Sequence, residues 1–309
     1  MKTKRIVYVL LLAIVTSLSV EAKKVQLKYV LEEGMEFTFE LVTSQDIAQE
    51  VMGQAQNSGT EISQVLAYKV LMVNADGNYR ISMKINRLKM KTVSPMGDIE
   101  FNSDDMSEDD DAFKMIGWLW DEEIIFTMTP HGEVLEVEDV ESLAKKSEDL
   151  VAEAGSGSQI YASLASQFGT EEAIKQNLSN QFFIFPESKV KVGKAWESVK
   201  ETKQMISMKN TIQQTITEVT VDAITLTQQV KIDMGEGGEA MEVQGMEMQY
   251  ELSGGKDAVY EIDPLTGLTI TGEGHTTISG IISIESPQLP TPMSIPMTIK
   301  STDKIVRLK

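Results

Sequence analysis

Residues Glu61 to Met90 read EISQVLAYKVLMVNADGNYRISMKINRLKM. Two runs of alternating apolar and polar residues flank Asn74-Ala75-Asp76-Gly77-Asn78. Tyr68, Val70 and Met72 fall on one face of the first run; Tyr79, Ile81, Met83 and Ile85 fall on one face of the second. A period of two on both sides of an Asp-Gly turn predicts a long antiparallel hairpin with one buried face. Within the second run the apolar parity changes, from Ile81, Met83 and Ile85 to Leu88 and Met90. A one-residue parity change inside a strand implies a β-bulge or a switch of side, and therefore a sheet that bends.

The same grammar extends in both directions. Val25, Leu27 and Tyr29 alternate before a turn at Glu33-Gly34, and Met35 to Val51 alternates again through Phe37, Phe39 and Leu41. After the hairpin come a short strand through Ile99 and Phe101 and a second hairpin, Ile124 to Val137, around Thr129-Pro130-His131-Gly132. At Asp139 the period changes to 3.6. Val140, Leu143, Ala144, Leu150, Val151 and Ala154 line one stripe, with Asp139 as N-cap and Gly155 as stop. A second short helix carries Ile160, Tyr161, Leu164 and Phe168. A third starts from Thr170, with Glu171 and Glu172 in its first turn and Ile174, Leu178 and Phe182 on its apolar edge. From Lys189 the β pattern returns. Val190-Lys191-Val192-Gly193-Lys194-Ala195-Trp196 echoes Tyr29 to Phe37, Thr211–Val219 and Ile224–Ile232 echo the long hairpin, and Asp263-Pro264-Leu265-Thr266-Gly267 stands where Thr129 to Gly132 stood.

The expected build is mainly β, α+β overall: two antiparallel β-meander lobes forming a curved sheet, half-barrel or sandwich-like arrangement, with a central helical segment. The boundaries are a leader at 1–22, a first lobe at 23–137, a helical connector at 138–185 and a second lobe at 186–309, read as a duplication of the first. Generic meander grammar would produce the same echo.

A chain of 309 residues, 41% hydrophobic and 24% charged, can bury one large core or two modest ones. Its formal charge of −19 repels phosphate backbones and anionic membrane surfaces, which argues against nucleic acid as a partner. It has no cysteine, so disulfides, thiolate metal sites and cysteine nucleophiles are excluded. Lys2, Lys4 and Arg5 precede an apolar run from Ile6 to Leu18, and Val20-Glu21-Ala22 follows. This is the pattern of a secretory signal peptide cut after Ala22, which predicts a secreted or periplasmic protein. An uncleaved anchor is the alternative, but the run is short for a span. No other stretch could cross a bilayer as a helix.

Motifs for chemistry are sparse. His131 in a turn and His275 in a strand are far apart, and no nucleophile elbow, P-loop, dinucleotide fingerprint or H-E-x-x-H is present. The expectation is therefore no enzyme and no cofactor. The acidic run Asp104 to Asp111 departs from a calcium loop, having Asp109 and Met115 where Gly and Glu are required, and reads as a solvated loop. Met234, Met241, Met246 and Met248 cluster, which suits either packing or Cu(I); without a nearby His, packing is preferred and no metal is assigned. Trp118 and Trp120 suggest a buried anchor or a partner contact. Along Leu268 to Ile284, Gly272, Gly274 and Gly280 fall on a face otherwise apolar, next to Ile282. Glycine there means either strand coiling or room for an apolar ligand.

Leu27-Lys28-Tyr29 with Gly34, Asp76-Gly77-Asn78-Tyr79, Thr129-Pro130-His131-Gly132-Glu133-Val134, Val190 to Trp196, and Tyr260-Glu261-Ile262-Asp263 with Thr266-Gly267 together resemble a family of uncharacterised secreted proteins of Gram-negative bacteria, a domain of unknown function. The resemblance implies an envelope location and a β-rich build, and it carries no functional residues. The leading expectation is an exported, non-enzymatic module binding an apolar small molecule, a lipid or a protein partner. A structural or assembly component of the envelope, and a hydrolase with an unrecognised site, are the alternatives.

Overall fold

A computed structural model describes residues 24–95, 97–107, 117, 120, 122–154, 170–203, 207–234, 241–243, 246–285 and 292–308. In chain order the strands are β1 (Lys24–Val25), β2 (Glu36–Val51), β3 (Gln54–Val73), β4 (Tyr79–Val93), β5 (Ile99–Asn102), β6 (Ile124–Met128) and β7 (Val134–Val137). Two helices follow, α1 (Val140–Ala154) and α2 (Glu171–Gln181). Then come β8 (Val190–Lys191), β9 (Ala195–Lys203), β10 (Ser207–Val219), β11 (Ile224–Met234), β12 (Met241–Val243), β13 (Met246–Ile262), β14 (Thr269–Glu285) and β15 (Met293–Leu308). The fold is mainly β. The expected leader, the helix around Ile160 to Phe168 and the far half of the acidic loop lie outside the described residues.

The hairpin expected over Glu61 to Met90 is β3–β4. Asn74 closes its turn: its side-chain oxygen accepts from the amides of Asp76 (3.0 Å) and Asn78 (2.9 Å), and Gly77 takes φ +82°. Asn and Gly are the residues this geometry selects, because one caps its own backbone and the other adopts positive φ without strain. Leu66 pairs with Ile85 while Val65 pairs with Arg87, leaving Asn86 as an extra residue on β4. The parity change after Ile85 is thus a β-bulge.

β2 to β7 and β9 to β15 form one antiparallel sheet of 13 strands, whose main path runs β7-β6-β4-β3-β2-β15-β14-β13-β11-β10-β9. It does not close into a barrel; β7 and β9 are its edges. β15 inserts between β2 and β14, so the two sets of strands share a continuous hydrogen-bonded surface. Pro296 sits in β15 opposite Ile281 of β14, one residue before pairing to β2 begins at Met297. Proline is admitted there because that side of the strand has no ladder partner.

One face of the sheet is apolar. Its main core gathers Phe39, Leu66, Ile81, Phe126 and Met128 from the first strands and Ile216, Leu226 and Ile262 from the later ones, with Tyr29 from the segment before β2 and Leu268 from just before β14. α2 is capped by Thr170, whose hydroxyl accepts from Ala173 N at 3.1 Å, and it buries Ile174 and Leu178 in this core. Asp139 precedes α1 with φ +52°, and its carbonyl accepts from Ser142 and Leu143 to close the first turn. Ile282, Ile284 and Ile295 form a separate small cluster at the far end of β14 and β15.

Arg80 on β4 and Glu138 after β7 pair through two parallel hydrogen bonds of 2.6 and 2.7 Å. The Arg80 hydrogen bonds hold the Glu138 carboxyl below its ordinary pKa, against the opposing effect of partial burial. A depressed carboxyl stabilises the fold above its unfolded pKa, and that contribution is lost as pH falls through the folded value. Glu138→Gln is therefore expected to lower urea stability at pH 7 and to flatten its acid dependence; parallel curves for the two proteins down to pH 3 would contradict this.

Candidate functional site

The sheet curls so far that strands from opposite ends line one cavity of about 570 Å³. Ile85 of β4 and Ile124 of β6 contribute from one side, Ile212 of β10 and Val230 of β11 from the other, with Leu41 of β2 and Ile305 of β15 between them. Register explains why these residues converge. Val230 pairs with Ile212 and with Lys256, and Leu41 pairs with Ile305, so each set occupies one row of inward positions.

One end of this trough is roofed by α2 and the segment Phe182 to Phe185. Phe182 meets the rings of Tyr29, Tyr68 and Phe126 at 5.8, 5.6 and 6.0 Å. The Tyr29 hydroxyl accepts from Phe183 N at 2.8 Å, and the Phe185 amide donates to the His131 carbonyl at 2.8 Å. Tyr68 donates to Gln181 at the end of α2. At Gly132, φ is +91° and an added Cβ would stand 2.0 Å from the Phe183 carbonyl. Only glycine lets the β6–β7 turn approach the roof this closely.

Polar groups interrupt the apolar wall at its centre. Lys256 Nζ of β13 donates to Asp303 Oδ2 of β15 at 2.8 Å, and Thr43 Oγ1 of β2 donates to Asp303 Oδ1 at 3.0 Å. Burial pushes the Lys256 ammonium down, but Tyr260 and Asp303 outweigh it and leave its pKa raised. Burial raises the Tyr260 phenol. Tyr260 also packs edge-on against Phe183 of the roof, at 4.7 Å. Further along, Lys200 of β9 lines the same cavity opposite its register partner Asn210 of β10. Desolvation lowers the Lys200 pKa, and Asn210 Oδ1 is buried without a hydrogen-bond partner.

The glycines singled out in the sequence lie on the inward face of β14, one step behind these groups. A Cβ at Gly272 would be 2.1 Å from Tyr260 Cδ1, and one at Gly274 would be 2.5 Å from Lys256 Cε. The room they leave is occupied by Tyr260 and Lys256, which lie across the backbone and so reach the trough. At Gly280 the Glu251 carbonyl of β13 approaches to 1.9 Å of the Cβ position, and Ile282 belongs to the far cluster. Trp118 lies outside the described residues. Trp120 is half-buried, stacked on Phe101 at 5.9 Å. His275 is exposed on the convex face beside Glu273, away from the trough, and His131 sits in the turn beneath the roof. Asp104 pairs with Lys89 at 3.0 Å. Among the described residues, no group of three His, Asp or Glu could hold a metal.

Lys200, Asn210, Lys256 and Asp303 are the residues sequence reasoning passed over. Their signal was a polar or charged residue on the apolar parity of an alternating strand: Lys256 among Leu252, Ala258 and Tyr260, Asp303 among Ile299 and Ile305. Lys256→Met or Asp303→Asn alone is expected to cost about 1–3 kcal/mol, because each strands a partly buried charge or acceptor. The double variant should cost less than the two singles together. Additive losses in a urea double-mutant cycle would show that the pair is not coupled.

Residues 76–269 match the model of a family described as a family of unknown function (DUF6263). The chain belongs to this family. The match runs from the Asp76-Gly77 turn through the roof to Thr269 at the start of β14, so DUF6263 spans most of the strands that wall the trough. No curated protein matches the chain. A similar solved structure is described as the crystal structure of the COG4313 outer membrane channel from Pseudomonas putida F1, at 7% identity, covering 91% of this chain and 98% of that one with a TM-score of 0.21. A TM-score of that size does not establish a shared fold, so function must rest on this chain's own residues. No described helix is long and apolar enough to cross a membrane.

Proposed function

We propose that this DUF6263 protein is an exported binding protein of the cell envelope that holds an apolar small molecule or lipid in the trough of its curved sheet. The observation that carries this reading is the cavity of about 570 Å³, in which aliphatic side chains from both ends of one sheet are interspersed with polar ones such as Gln64, Gln214 and Gln228 beneath a roof of aromatic rings. Ligand pockets fall in this size range, with apolar walls and a few convergent polar groups. Export is supported by the leader-like start of the sequence. Action without catalysis is supported by the polar groups themselves: Lys256, Asp303 and Thr43 bond one another, and His131 and His275 stand in different surroundings.

The test is native mass spectrometry and lipid extraction of protein purified from its own host. A co-purifying apolar molecule is the expected result. Val230→Trp, which fills the trough from β11, should lose that molecule while the melting temperature stays within a few degrees. A stoichiometric protein partner and an empty trough would instead favour an assembly role, for which the free edge of β9 and its exposed Val199 offer a surface.

A further inference from the structure

The charged side chains that line the trough already have partners. Among the described residues they are Lys200, Lys256, Asp303 and Lys304. Lys256 and Thr43 each take one Asp303 oxygen, Lys304 reaches Glu273 at 3.7 Å, and Lys200 has a partner of its own. An ion entering the trough would give up its hydration without meeting a free counter-charge, which costs several kcal/mol. The hydrogen-bonding capacity left in the lining is uncharged.

That capacity is concentrated on β10 and β11. Gln214 is 4% exposed and lines the cavity, yet its side-chain amide makes no hydrogen bond among the described residues. Its register partner Gln228 lines the cavity beside it. Two inward positions along β10, Asn210 repeats the feature with a buried Oδ1 that has no partner. From Gln228 the same ladder row continues to Ala258, Gly274, Asp303 and Thr43. It therefore carries hydrogen-bonding side chains at both ends and small residues between them. The next inward row on β10 and β11 is Ile212 and Val230, so an aliphatic level borders the polar one. A buried amide without a protein partner is left to water or to a ligand. A carboxamide presents two donors and a carbonyl acceptor, so the group that satisfies it must both accept and donate.

We propose that the trough takes an amphiphile whose head group is uncharged and carries both hydrogen-bond donors and acceptors, set against Gln214 and Gln228, with its alkyl chain along Ile212 and Val230. This rests on the reading of the trough as a binding site and names the ligand class that site prefers. Hydroxyl and carboxamide head groups share the required chemistry, and the two are separated by testing both.

The experiment is equilibrium titration, below their micelle concentrations, of monolaurin, lauramide, methyl laurate, laurate and dodecyltrimethylammonium against the full chain. Methyl laurate has the same chain and accepts hydrogen bonds but cannot donate one. The expected result is that monolaurin or lauramide binds about tenfold or more tighter than methyl laurate, with neither ion exceeding the ester. The readout for variants is the ratio of that ligand's affinity to the ester's. Gln214→Leu should bring the ratio near one, and Gln228→Leu should lower it. Gln213→Leu, exposed on the outward face of β10, should keep it. The head-group preference is wrong, while the trough remains a binding site, if the ester binds the wild type as tightly as both neutral donors or if an ion binds tightest. It is equally wrong if Gln214→Leu or Gln228→Leu leaves the ratio intact in a folded protein. If none of the five binds, the binding-site reading itself fails and takes this inference with it.

Discussion

Exchanging Phe182 for alanine is expected to lower the unfolding free energy by about 3–5 kcal/mol, the range for deleting a buried aromatic ring. Phe182 is 4% exposed and is the C-cap of α2, so it joins the helix to the roof of the trough. Its ring makes edge-on contacts with Tyr29 and Tyr68 and a tilted one with Phe126, and these three come from different stretches of chain. Removing it leaves a void those rings cannot close, because Tyr29 is tied through its hydroxyl to Phe183 and Tyr68 through its own to Gln181. The roof should loosen with it. Urea denaturation should show a lower midpoint with an unchanged slope, and proteolysis should cut first between α2 and β8. A loss below 1 kcal/mol would mean that the roof is not part of the core.

Ser301→Pro in β15 is expected to cost about 3 kcal/mol or more and to leave little folded protein. Ser301 pairs with Thr276 on one side and with Gln45 on the other. Proline there removes a ladder donor and presses its ring on the neighbouring strand, which a central strand does not tolerate. The control comes from the chain itself. Pro296 already occupies β15 where it pairs with β14 alone, so its nitrogen faces the open side. Ser294 shares that parity, two residues earlier, and Ser294→Pro should cost no more than about 1 kcal/mol. Equal losses for the two prolines, measured by urea or thermal unfolding, would show that β15 is not held from both sides between β2 and β14.

Much of the architecture was legible because it is written locally. The β3–β4 hairpin, its Asn74–Gly77 turn and the bulge after Ile85 follow from residues close in sequence, whereas a second bulge at Leu71 turns Met72 outward, 44% exposed, where the alternation placed it with Tyr68 and Val70. The N-cap at Thr170 is equally local, since a helix start depends on one side chain and the next few amides; at Asp139 the backbone takes φ +52° and its carbonyl closes the first turn. What the alternation could not supply was strand order. β15 pairs with β2 across a sequence separation of 260 at Thr43 and Asp303, and no local pattern distinguishes that partner from another strand of the same period. The glycines of β14 were legible as sites of close approach. Which groups approach them depended on the register that sets Tyr260 opposite Gly272 and Ala258 opposite Gly274. Lys200 and Lys256 were missed for a related reason. A lysine in an alternating strand is ordinarily solvated, and only the curl of the sheet turns that face into the wall of a cavity.

The placement of β15 has a consequence for how the molecule comes into being. β2 is made early and β14 late, and each presents an unpaired edge until the strand that separates them is available. The outer edge of β2 must therefore stay open through almost the whole of the chain's synthesis, while that of β14 waits only for the short connection to β15. Closure then happens as one long-range zippering step, which has the entropic cost of distant contacts and the slow rate of high contact order. Until that step, either edge can template the wrong strand, from the same chain or from another. For this protein the hazardous interval is set by the wait for β15, and an escort that shields the edges of β2 and β14 would act at that stage.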